Sequence, residues 1–368
     1  MQARAEDVRL VEGLIVNKES RIPDLAWFNG GKESSTDPSQ VLLAFDEEYH
    51  TPYWGHSALL GLTTGLVLPP YASYRGTAAS SLLPMNSDVF ALARKQGAIT
   101  GYVHPFDEVI DPFDEKSELT HALPIDAALG QLSYMEILGF AEHWSTARTW
   151  YRMLNAGFKI PAGAGTDAMT NYASLRGPIG LNRTYVKSAN TRAAMLSGIA
   201  AGRTMATNGP LLELWVNERE PGDSVMLPAS GGVVRVRARL RSIVPVDHLE
   251  LVGNGVVVAN LSATGPRVSL DTTFTVKVSE SRWFVLGARG DSARAEVLDM
   301  YPFATTSPVY VTVGGRRVRV EDDVRWVVKW LERLEAGARG WKGFDTEGER
   351  EYVVGRIREA KKRMELPR

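Results

Sequence analysis

The chain has 368 residues, 44% hydrophobic and 23% charged, a globular composition with enough apolar content for a core that needs no covalent staples. Its 42 basic and 43 acidic residues leave a formal net charge of −1, so no basic field points to nucleic acid or to an anionic membrane surface. With no Cys, disulfides, thiolate nucleophiles and Cys-ligated zinc are excluded, and any metal site must draw on His, carboxylate and water.

The first residues, "MQARAEDVRLVEGLIV", lack the basic region, apolar run and small-residue cleavage site of a secretory leader. No stretch approaches the roughly 18 apolar residues of a spanning helix. The cytoplasm is therefore the default expectation, with export expected only if a leader precedes Met1. Val11–Val16 reads as a strand that ends at Asn17 and Lys18, and Val41–Phe45 as one that ends at Asp46, Glu47 and Glu48. In "SDVFALARKQGAITGYVHPF", Ser87 or Asp88 caps a helix that stops near Gly97, and the strand Ile99–Val103 then delivers His104. Tyr134–Leu138 forms a further strand carrying Glu136. In "STARTWYRMLNAGFKIPAGAGTDAM", Ser145 or Thr146 caps, Gly157 stops, and Lys159–Ala164 extends toward Asp167. In "TRAAMLSGIAAGRTMATNGP", Gly202 stops the helix and Thr204–Thr207 leads to Asn208.

Helices alternating with buried strands imply a parallel sheet or barrel over residues 1–212. Chemistry in such folds gathers at the carboxyl ends of the strands, where Glu48, His104, Asp167 and Asn208 all fall. From residue 213 the pattern changes to a period of two. Val234, Val236, Ala238 and Leu240 alternate with Arg235, Arg237, Arg239 and Arg241, and the turn pairs Asn254-Gly255 and Gly314-Gly315 separate apolar runs. Residues 213–320 therefore read as an all-β, sandwich-like domain whose arginines form a solvated strand face. Residues 321–368 read as a helical tail, with Val324, Val327, Val328, Leu331 and Leu334 at helical spacing and docked on the body of the protein.

The stretch "LLAFDEEYHTPYWGHSALLGL" places His50 and His56, two of only six histidines, beside Asp46, Glu47 and Glu48. A strand-end Glu, two or three His and a strand-end Asp make a mixed nitrogen and oxygen site for a divalent ion that activates water. Each member also has a plainer reading. Glu48 fits a solvated loop charge, His56 a hydrogen-bonded core histidine, and Asp167 a turn cap. His50 fits a ligand, an orienting group or a surface residue, while His121, His143 and His248 lack strand-end context and read as structural. The chain has no G-x-S-x-G elbow, P-loop or H-E-x-x-H motif.

Taken in order, "EEYHTPYWGHSALLGL", "GYVHPF", "IPAGAGTDAM", "SLRGPIGLNRTYV" and "TNGPLL" resemble the PHP (polymerase and histidinol phosphatase) superfamily, in its CehA/McbA carbamate-hydrolase-like branch. The resemblance implies an α/β fold: a distorted (β/α)7 PHP-type barrel, here N-terminally incomplete, before the sandwich and the tail. It implies Glu48, His56, His104 and Asp167 as ligands of divalent Zn, Mn or Fe ions. It also implies Asp167 and His104 as catalytic groups, and His50, Arg176 and Asn208 as substrate contacts. The chain departs from the family in having no His-x-His anywhere, and Met169 stands where a partner histidine follows the final aspartate. The missing strand implies an N-terminal truncation and an exposed strand edge open to homo-oligomer formation.

The expectation is thus a metal-dependent hydrolase of a small ester, carbamate or phosphoester, without nucleic-acid or membrane partners. The competing expectation is a non-catalytic, degenerate binding or scaffold protein. A carbohydrate-active enzyme with Glu48 and Glu136 as paired carboxylates is a third.

Overall fold

The computed structural model describes residues 2–16, 25–34, 41–68, 72–106, 111–113, 120–169 and 176–365. The strand-end positions Asn17 and Lys18 lie outside the described residues. A first sheet runs in chain order through β1 (Leu10–Val16), β2 (Leu42–Tyr49), β3 (Ser57–Leu60), β4 (Ile99–Tyr102), β5 (Tyr134–Leu138) and β6 (Ala162–Ala164). Around it lie α1 (Gln2–Ala5), α2 (Asn86–Lys95), α3 (Leu123–Leu129), α4 (His143–Asn155) and α5 (Arg192–Ala200).

Local chemistry sets the helix ends. The Asp88 carboxylate accepts the N–H of Met85 at 3.0 Å, so it serves the start of α2 from inside the first turn rather than as the cap. Glu142 caps α4 instead of Ser145 or Thr146, accepting the N–H groups of Trp144 and Ser145 at 3.3 and 2.5 Å. Gly97, Gly157 and Gly202 follow α2, α4 and α5 at φ of +87°, +96° and +72°, conformations that favour glycine and stop each helix where the sequence predicts.

The first sheet does not close into the distorted (β/α)7 PHP-type barrel that the sequence predicts. The described residues hold 17 strands against seven α-helices, and this sheet is a half-barrel. Two causes are visible. First, β2–β3 and β3–β4 pair antiparallel, whereas β1–β2, β4–β5 and β5–β6 are parallel. Residues 50–56, which join β2 to β3, are too few for the crossover of roughly a dozen residues that a parallel return needs, so the chain doubles back.

Second, the far edge is sealed by side chains rather than by a strand. β7 (Arg183–Val186) and β8 (Thr204–Thr207) sit beyond β6, but β8 pairs with β7 and with β16 (Phe303–Thr306) in another sheet. Hydroxyls reach across instead. Ala162 donates its N–H to Ser307 Oγ at 2.8 Å, and its carbonyl accepts from Thr204 Oγ1 at 2.7 Å. Ala164 donates to Thr184 Oγ1 at 2.8 Å and accepts from the same hydroxyl at 3.1 Å. The edge is satisfied without a ladder, so closure is not required.

The remaining strands are β9 (Leu211–Val216), β10 (Ser224–Leu227), β11 (Gly232–Val246), β12 (His248–Gly253), β13 (Val256–Asn260), β14 (Arg267–Val278), β15 (Arg282–Arg289) and β17 (Val309–Val313). One sheet has the order β10–β17–β15–β16–β8–β7, with β12 on β15 and β13 on β12; the other has the order β14–β11–β9. Val234, Val236, Ala238 and Leu240 of β11 point into a shared core with Leu249, Phe284, Leu286 and Val311. The alternate arginines face out and pair with acids: Arg237 with Asp271 at 2.8 Å and Arg239 with Glu213 at 2.7 Å. Asn254-Gly255 makes the β12–β13 turn with φ of +50° and +79°. Gly314-Gly315 closes only an isolated bridge between Val313 and Arg316.

The tail forms α6 (Glu321–Gly340) and α7 (Glu347–Glu365). Val324, Val327, Leu331 and Leu334 are buried with Phe106 and Trp150, and Val328 packs on their margin. The tail is thus docked on the body, as its spacing predicts. Among the described residues, no helix is long and apolar enough to cross a membrane.

Candidate metal centre

The doubling back of β3 is what builds the site. Glu48 lies at the end of β2, paired with Ala58 of β3, and Ser57 pairs with Tyr102 at the end of β4. The residue before β3 therefore meets the residues after β4, and the Val103 N–H donates to the His56 carbonyl at 3.3 Å. His56 and His104 consequently stand next to each other and next to Glu48. β2 runs on through Tyr49, so Asp46, Glu47 and Glu48 are strand residues rather than a loop after the strand.

Three donor atoms form a compact triangle. His56 Nδ1 and His104 Nε2 are 3.3 Å apart, and they stand 3.4 and 3.6 Å from Glu48 Oε1. Donors bonded to one tetrahedral ion at about 2.1 Å lie about 3.4 Å apart, so the triangle matches one face of such a polyhedron. Glu48 is buried and both imidazoles are half-buried. The Glu48–His56–His104 group could hold a metal ion and leave further coordination positions open.

The electrostatics agree with a charged cluster. Burial pushes the Glu48 carboxyl up, but the hydrogen bond from His104 and the fields of His56, His104 and His50 outweigh it and leave it below its ordinary value. Burial disfavours charge on His104, yet the hydrogen bond and charge of Glu48, with the charge of Glu136, raise it. Glu136, behind His104, is raised to about 7 by burial, against the opposing field and N–H of His104.

Asp167 comes within 3.9 Å of His104 Nε2 and is ion-paired with Arg176, so it borders the triangle. Both His104, at φ +30°, and Asp167, at φ +56°, adopt left-handed backbone, which non-glycine residues take up uncommonly. His50 lies against His56, its ring tilted by 33° and the ring centroids 3.3 Å apart. Asn208 joins a different set of partners: its amide donates to Asp299 and to the Tyr301 carbonyl, each at 2.8 Å, and accepts from the Phe303 N–H at 2.7 Å. None of those partners belongs to the triangle.

The other histidines sit apart from it. His143 pairs with Asp299 at 3.0 Å and His248 with Asp291 at 2.8 Å. His121 packs on Tyr53, and burial with the nearby Arg333 and Arg75 lowers it to about 4. Sequence reasoning passed over Phe140, which is exposed just beyond β5 and lies 4.1 Å under the Arg176 guanidinium. Its position after a buried strand is the signal that would have found it. Asp46 and Glu47 are also more than flanking charges. Asp46 accepts the N–H groups of Gly61 and Leu62 at 2.7 and 2.9 Å, and Glu47 accepts that of Val67 at 2.6 Å. Both fix the chain that leaves β3, at the end of that strand away from His56.

No family model matches the chain, and it has no match among the curated proteins or the solved structures.

Proposed function

We propose that the chain is a metal-dependent hydrolase that directs activated water at an ester, carbamate or phosphoester bond of a small molecule. The observation that carries this reading is the Glu48–His56–His104 triangle, with sides of 3.3, 3.4 and 3.6 Å. The ordered motifs that resemble the PHP superfamily support the same reading. Two imidazoles and a carboxylate suit divalent zinc, manganese or iron. When bound, such an ion supplies Lewis acidity and lowers the pKa of water in the site.

The chain's own groups divide the remaining work. Glu48, His56 and His104 hold the ion, and His50 braces the His56 ring. Asp167, beside His104, takes a proton from the attacking water and returns it to the leaving group. Arg176, ion-paired with Asp167, orients it and stands beside negative charge that develops on the substrate.

The test is direct. The purified chain, loaded with zinc or manganese, is assayed against aryl esters, aryl carbamates and phosphodiesters. His104→Ala is expected to lose both bound metal and turnover. Undiminished hydrolysis by metal-free protein overturns the proposal, and a folded chain that takes up no metal favours a binding or scaffold role instead.

A further inference from the structure

Glu136 occupies the strand next to the metal triangle without contributing to it. It projects from β5, and its Oε2 accepts the backbone N–H of His104 at 3.1 Å. His104 lies just past the end of β4, at φ +30°, a conformation that a histidine does not hold without support from its surroundings. The carboxylate is almost entirely buried, at 7% exposure for the residue, and burying such a group is costly unless it makes a specific interaction.

The surroundings are shaped to admit that carboxylate. A Cβ on Gly139 would fall 2.9 Å from Glu136 Oε2 and 3.4 Å from the His104 Cα. A Cβ on Gly165 would collide with Glu136 Oε1. Two chain segments, one after β5 and one after β6, thus lack side chains where the carboxylate and the His104 backbone meet.

We infer that Glu136 is a positioning residue for the metal centre, clamping the left-handed backbone of His104 so that Nε2 points into the triangle with Glu48 and His56. This inference rests on the metal-site reading above. It assigns Glu136 a role distinct from a ligand and from a paired catalytic carboxylate. The element that matters is an acceptor oxygen at Oε2. Glu136→Gln keeps an oxygen there, whereas Glu136→Met fills similar space with none.

The experiment titrates cobalt(II) into the wild-type chain and into Glu136→Gln, Glu136→Met and Gly165→Ala, recording visible absorption and competing with a chelator. Glu136→Gln is expected to bind cobalt within about threefold of wild type with the same band shape. Glu136→Met is expected to bind about 10- to 100-fold more weakly, the usual cost of removing a group that orients a ligand, with an altered spectrum. Gly165→Ala, which displaces the same carboxylate from the other side, is read in the same way should Glu136→Met fail to fold. A folded Glu136→Met or Gly165→Ala protein with wild-type affinity and spectrum overturns the inference. If the wild-type chain itself binds no cobalt, it is the metal-site reading that falls.

Discussion

His56 Nδ1 and His104 Nε2 face each other at 3.3 Å, with the Glu48 carboxylate within 3.6 Å of both. One proton can bridge the two nitrogens, and a divalent cation that accepts a lone pair from each takes its place. An ion bound only by the folded chain stabilises it by mass action, about 2.7 kcal/mol at a free concentration 100 times Kd. Thermal melts should therefore shift upward on adding zinc and downward with a strong chelator. The shift should vanish in His56→Ala, His104→Ala and Glu48→Gln. Equal melting temperatures with zinc and with chelator in the wild-type chain would refute the prediction.

A second cluster lies nearby and is structural. Arg192, at the start of α5, pairs with the fully buried Asp46, binds Glu12 through two nitrogens at 2.8 and 3.1 Å, and donates to the Gly31 carbonyl at 2.8 Å. Removing one partner of a buried pair strands the other charge, at a cost of about 3–5 kcal/mol. Arg192→Leu should lose stability on that scale in urea unfolding. Arg192→Lys should recover only part of it, because a single ammonium cannot reproduce the planar fork that serves three acceptors.

Asp126, on α3, predicts a pH dependence of stability. Burial raises its carboxyl from 3.8 to about 8, opposed by the Tyr102 hydroxyl that donates to it and by Arg356, and reinforced by Asp88. A carboxyl with a raised folded-state pKa favours folding fully below its unfolded value, and this contribution is lost as pH rises through the folded one. Between pH 4 and 8, folding takes up this proton and stability falls by up to about 1.4 kcal/mol per pH unit. Asp126→Asn removes that proton uptake. Relative to the variant, the wild type should lose urea stability between pH 5 and pH 8, and a difference constant across that range would rule the assignment out.

Much of the chain's local grammar was legible because short-range rules govern it. The strands Tyr134–Leu138 and Thr204–Thr207, the glycine stops and the alternating face of β11 all follow from neighbours in sequence. Glu48 and His104 could be singled out because each lies at or next to a strand end, and His56 through the resemblance of the "GHSALLGL" segment. Their closeness could not, since it depends on β3 running against both its neighbours. In sequence Asp46 is only one of three carboxylates beside two histidines, yet its cation Arg192 is 146 positions away and appears only in the fold. Asn208 looks available at a strand end, but residues 299–303, which lead into the neighbouring strand β16, claim its amide. The half-barrel was the least legible feature, because hydroxyls of Thr184, Thr204 and Ser307 replace the strand that the repeating pattern implies.

That edge yields the last prediction. The Ala162 N–H and carbonyl are satisfied by Ser307 Oγ and Thr204 Oγ1, and these two hydroxyls lie 2.6 Å from each other. All three residues are buried, so deleting either hydroxyl leaves a main-chain group without a partner. Ser307→Ala and Thr204→Val should each cost about 1–3 kcal/mol. The second deletion should cost less than the first, because the hydroxyl it removes has already lost one of its partners. A double-mutant cycle by urea unfolding should then show a coupling of about 0.5–3 kcal/mol. Strict additivity would mean that the two hydroxyls act independently, and that the edge of the half-barrel is held by packing against β8 rather than by this shared hydrogen-bonded seal.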